Sequence, residues 1–178
     1  MLQALARDKV VTLHKNRGAI VSQPTVKEAR EVFAARRLIE VALAREVVRA
    51  IDDKGLAALK AHIVKEDRAE KTRNPTVEVH TSHEFHTLLA DTLGNSVISQ
   101  YIRELMARSA LITAVYERPD AHVCSHISHG RLIELIEKKD PDGLAASMLQ
   151  HLDEIEGCLV LREKKATAVD LKDIFAGY

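Results

Sequence analysis

Apolar residues recur at helical spacing along most of the chain, in stretches bounded by clear start and stop signals. Thr25 and Glu28 form a capping box after Pro24. The stretch that follows carries Val32, Phe33, Ala35, Leu38, Ile39, Ala42, Leu43 and Val47 and predicts a first helix ending near Asp52-Asp53-Lys54-Gly55. A second helix carries Leu56, Leu59 and Ile63, then runs into Lys65, Glu66, Asp67, Arg68, Glu70, Lys71 and Arg73. The signs of that run alternate, so it reads as a solvated face rather than a binding patch. Asn74-Pro75 opens a third helix and Gly94-Asn95 closes it. A fourth, from about 96 to 117, carries Val97, Ile98, Tyr101, Ile102, Leu105, Met106, Leu111 and Val115, and Arg118-Pro119-Asp120 breaks it. The fifth is expected over about 120–138. The sixth starts at Asp140-Pro141 and is expected to run to about Lys165, leaving 166–178 as a weakly patterned tail.

Upstream of residue 24 the period changes. Met1 to Arg7 looks like the end of a helix, and β-prone runs at 10–13 and 19–21 flank a turn at Lys15-Asn16-Arg17-Gly18. A stub and a hairpin cannot bury a core alone, so 1–23 reads as the tail of something whose beginning is absent. The expected fold is all-α: an antiparallel bundle of about six helices over 24–165, preceded by a short β-hairpin.

Composition agrees with that class. A chain of 178 residues with 46% hydrophobic residues, 3% aromatics, no Trp, 7 Gly and 4 Pro suits one helical domain. The 26 basic residues balance 26 acidic ones, which excludes a polyelectrolyte coating nucleic acid or an anionic membrane. Arg7, Lys9, Lys15 and Arg17 nevertheless make the start locally basic. Cys124 and Cys158 stand apart, no apolar run has membrane-spanning length, and a cytoplasmic location is expected.

The candidate chemistry is in the histidines. The third helix carries His80-Thr81-Ser82-His83-Glu84-Phe85-His86, with Ser82 and His86 sharing a face. His129 stands among Ile127, Leu132, Ile133 and Ile136, and His151 among Leu149, Leu152 and Ile155. Imidazoles from three helices can form one face of a metal's coordination sphere, open to water or an anion. Spacing alone does not choose, because His122, His126 and His129 form an i, i+4, i+7 row and His126 qualifies as well as His129.

In this order the motifs resemble the FCD ligand-binding domain of the GntR family of bacterial transcriptional regulators. The matching pieces are Arg36-Arg37-Leu38-Ile39-Glu40, Ser82-His83-Glu84-Phe85-His86, Gly94-Asn95, His129-Gly130-Arg131-Leu132-Ile133-Glu134 and Met148-Leu149-Gln150-His151-Leu152. The resemblance implies a helical domain that senses an effector and is no enzyme. It implies a divalent metal (Zn, Ni or Mn) held by one Asp and three His, with a small carboxylate effector beside it. His86, His129 and His151 match the three histidines, but Ser82 occupies the Asp position, and a neutral hydroxyl binds a divalent cation weakly. Three outcomes stay open: a three-His site completed by water or effector, recruitment of His83 or Glu84, or no metal.

Arg36 either meets the effector carboxylate or pairs with Glu40 along its own helix. The first 23 residues resemble the end of a winged helix-turn-helix, with Arg7, Lys15 and Arg17 as candidate DNA contacts. Operator DNA is then expected only for a longer form, and a homodimer is implied. Two rivals have different chemistry. A three-His metalloenzyme would need a general base, for which Glu84 and Glu134 are the nearest candidates, and a helical oligomerisation module would need no metal.

Overall fold

The computed structural model describes residues 11–14, 18–118 and 126–162. Strands β1 (Val11–His14) and β2 (Gly18–Val21) pair antiparallel, with Val11 opposite Val21 and His14 opposite Gly18. Helices α1 (Val26–Ala50), α2 (Asp53–Thr72), α3 (Pro75–Asp91), α4 (Ser96–Tyr116), α5 (His126–Glu137) and α6 (Pro141–Gly157) follow. Arg7, Lys15, Arg17, His122, the stub at 1–7 and the tail at 166–178 lie outside the described residues. Among those residues no helix is long and apolar enough to cross a membrane.

The helix starts are set where side chains satisfy free backbone N–H groups. Thr25 accepts from Glu28 N at 3.1 Å, Asn74 from Thr76 N at 3.1 Å, Asn95 from Val97 N at 3.1 Å, and Asp140 from Gly143 N at 2.9 Å. Gly94 takes φ +64°, which lets α3 turn sharply into α4. Neighbour relations close a ring: α1 lies beside α6, α6 beside α5, α5 beside α2, α2 beside α3, α3 beside α4, and α4 beside α1. Phe33, Leu59, Phe85, Leu89, Ile102, Ile112, Leu132, Leu144 and Leu152 fill the ring and are buried.

One helix boundary differs from expectation. The sixth helix stops at Gly157 rather than near Lys165. Glycine weakens the helix there, and the β-prone Cys158-Leu159-Val160 leaves it to pair with the exit of α4. Arg118 N donates to Cys158 O at 3.2 Å and Val160 N to Tyr116 O at 2.8 Å. Leu38, one of the apolar residues along α1, is 78% exposed, while Arg36 and Glu40 take part of that helix's buried stripe.

Candidate metal centre

Each of the six helices sends a side chain to one buried polar cluster. Arg36 and Glu40 come from α1, His62 and Glu66 from α2, His86 from α3, Ser109 from α4, His129 from α5 and His151 from α6, all buried. The structure therefore brings His86, His129 and His151 together. One nitrogen of each lies within 4.8 Å of the others. His129 Nε2 is 3.0 Å from His151 Nε2, which is 3.3 Å from His86 Nε2.

Hydrogen bonds set which nitrogen of each ring bears the proton. His86 Nδ1 donates to Glu40 Oε2 at 2.5 Å, and His129 Nδ1 donates to Glu66 Oε1 at 2.8 Å. A neutral imidazole has one proton, so both rings turn an Nε2 lone pair toward the centre. His151 Nε2 lies between the two lone pairs, and the Arg36 Nη2 donor also stands 3.3 Å from that of His86. His151 Nδ1 has no hydrogen-bond partner among the described residues. Nitrogens bound to one zinc-like ion at about 2.0–2.1 Å lie roughly 3.0–3.4 Å apart. The spacing, the inward lone pairs and the carboxylates behind two rings fit a divalent cation.

Of the two roles expected of Arg36, the pair with Glu40 is formed. Its Nε donates to Glu40 Oε1 at 2.7 Å and its Nη1 to Ser109 Oγ at 3.4 Å, while Nη2 is 3.3 Å from His86 Nε2. Burial opposes the Glu40 charge, but Arg36 and His86 outweigh it and hold its pKa at about 2. Burial also dominates at the rings. It lowers His86 to about 4 despite Glu40, and pushes His83 and His151 well below their ordinary value.

A group whose folded pKa is depressed binds its proton more readily when unfolded. Its contribution is complete above the unfolded value, near 6.5 for histidine, and is lost as pH falls through the folded value. With chelator present, urea unfolding is expected to show stability falling between pH 6.5 and about 4, by on the order of 3 kcal/mol for His86 alone. A flat profile over that interval would contradict buried, neutral imidazoles.

Ser82 and His83 are half-buried and do not join the three rings. They line a pocket with Thr113, Glu117, Ile155 and Cys158, with room of about 20 Å³, enough for a single water. Ser82, Thr113 and Ile155 each lie four residues from Ser109, His86 or His151 on the same helices, so the pocket is one helical turn along from the cluster. Glu134 is exposed, and Glu84 is 3.4 Å from His80, so neither is placed as a general base.

Sequence reasoning missed Glu66 and His62. The signal was a stripe at Leu59, His62, Glu66 and Ala69, the buried face of α2, running through a segment read as solvated.

The FCD domain model matches residues 31–154. No curated protein sequence is significantly similar to the chain. Among solved structures, the fold is similar to that described as a transcriptional regulator GntR from Rhodococcus sp. RHA1, with 20% identity, TM-score 0.73, and coverage of 88% of this chain and 75% of that one. It is also similar to E. coli McbR/YncC, with 13% identity, TM-score 0.71, and coverage of 88% and 79%. Streptococcus agalactiae GntR shares 19% identity at TM-score 0.60, with coverage of 88% and 78%. The family model and these structures agree on the helical fold of the domain. With the motifs, the six-helix ring and a match spanning most of its length, this chain belongs to the FCD domain family.

Proposed function

We propose that this chain is the effector-sensing part of a GntR-type cytoplasmic transcriptional regulator, holding a divalent metal and, beside it, a small carboxylate metabolite. The observation that carries the reading is the convergence of three buried imidazole nitrogens, two of them braced by carboxylates. His86, His129 and His151 would hold the ion, and Zn, Ni and Mn all suit imidazole. The bound metal supplies positive charge and open positions for an anion. Because Ser82 brings no carboxylate, water or the effector completes the sphere.

Arg36 stands beside His86 Nε2 and is the candidate to meet the effector carboxylate, which its planar fork suits. Through Glu40 the same guanidinium links His86 to α1, the helix that follows the hairpin. Effector binding would shift the population of α1 placements and so the paired DNA-binding parts of a homodimer. In a longer form the hairpin region, with Arg7, Lys15 and Arg17, would meet operator DNA.

The test is calorimetric titration of zinc-loaded protein with a panel of small hydroxy acids and dicarboxylic acids. At least one acid is expected to bind, and Arg36→Lys to weaken it about tenfold or more, roughly 1.4 kcal/mol. Absence of binding across the panel would remove the carboxylate part of the reading.

A further inference from the structure

His129 is held on two sides by groups that donate nothing to a metal. Glu66 Oε1 accepts its Nδ1–H at 2.8 Å, and the Phe85 ring stacks on it at 4.1 Å between centroids and 10° between planes. Behind Glu66 stands His62, whose Nε2–H donates to Thr81 O at 2.9 Å and lies 3.6 Å from Glu66 Oε1. His62 and Glu66 are buried, so in this dry setting the bond to His129 meets little competition from water.

We propose that Glu66 is a positioning residue for His129, fixing its proton on Nδ1 and aiming its Nε2 lone pair at the cluster centre, with His62 tying α2 to α3 behind it. An isolated histidine side chain favours the proton on Nε2, which would point an N–H at the cation. A buried carboxylate reverses that preference, because only the Nδ1–H form gives it a donor. Phe85 fixes the ring plane and Glu66 fixes which edge faces inward. Helix α2 is thereby part of the site although it contributes no ligand. The proposal rests on the metal reading for its consequence, and its tautomer claim can be tested without metal.

The experiment compares the full chain with Glu66→Gln and Glu66→Ala, each checked for folding by circular dichroism. Zinc affinity is measured by competition with a chromophoric chelator, and the His129 tautomer by side-chain nitrogen NMR after chelator treatment. Glu66→Ala is expected to weaken zinc by about 10–100-fold and to move His129 toward the Nε2–H form. Glu66→Gln keeps an acceptor oxygen without the charge, so it should retain the Nδ1–H form and lose affinity by a smaller factor. Affinities within about twofold of wild type in both variants would overturn the proposal. So would an unchanged tautomer in Glu66→Ala. Should Glu66→Ala fail to fold, the glutamine variant decides, unchanged affinity counting against. If wild type binds no zinc, the metal reading fails and the tautomer alone decides the role of Glu66.

Discussion

Arg36→Ala is expected to destabilise the protein by about 3–5 kcal/mol, the range for removing one partner of a buried ion pair. Arg36 is 0% exposed and Glu40 2%, so water cannot replace the lost guanidinium. What remains is a carboxylate in a dry interior, facing His86 alone. Its pKa, about 2 with Arg36 in place, should rise toward and beyond the ordinary carboxylate range. Removing both charges together, as in Arg36→Met with Glu40→Leu, should recover much of the loss, because similar-sized apolar groups tolerate such a site. Urea denaturation of the chelator-treated proteins measures both. A loss below about 1 kcal/mol for Arg36→Ala would place the pair in the class of exposed helix pairs and contradict its burial.

The second large effect is the loss of metal-dependent stabilisation. Metal bound only by the folded protein at about a hundred times its dissociation constant adds roughly 2.7 kcal/mol, or about 5–11 °C in melting temperature for a chain of this size. His151→Ala is the cleanest variant to remove it. Loss of His86 or His129 also removes a donor from Glu40 or Glu66, whereas His151 Nδ1 makes no hydrogen bond among the described residues that would be severed. Zinc-dependent melting shifts are therefore expected in wild type and absent in His151→Ala. A shift of equal size in both would show that the ion binds elsewhere.

What the sequence revealed, and what it hid, follows from where the information lies. Caps are local chemistry, and Thr25, Asn74 and Asp140 each marked a helix start that the structure repeats, while Asn95, read as part of a stop, also caps the next helix. The end of α6 is tertiary: it stops where Val160 and Cys158 find partners on the α4 exit, and periodicity carried the helix past that point. Apolar periodicity alone could not show that Leu38 would face out while an Arg–Glu pair is buried on the same helix. At the site, the three histidines were legible because family motifs and apolar flanks pointed to them. Glu66 was not, because alternating charge looks solvated until one asks which of those charges share a face with Leu59 and Ala69. Ser82 stands where the family pattern has Asp, and its side chain lines a neighbouring pocket instead of joining the imidazoles.

The central claim is that His86, His129 and His151 hold one divalent ion. Elemental analysis of the purified chain beside His129→Ala and His151→Ala tests it most directly. The account predicts about one metal ion per wild-type chain and near-complete loss in both variants. Full occupancy retained by both variants would contradict the site, and wild-type protein free of stoichiometric metal, with a melting temperature indifferent to chelator, would favour a metal-free helical module.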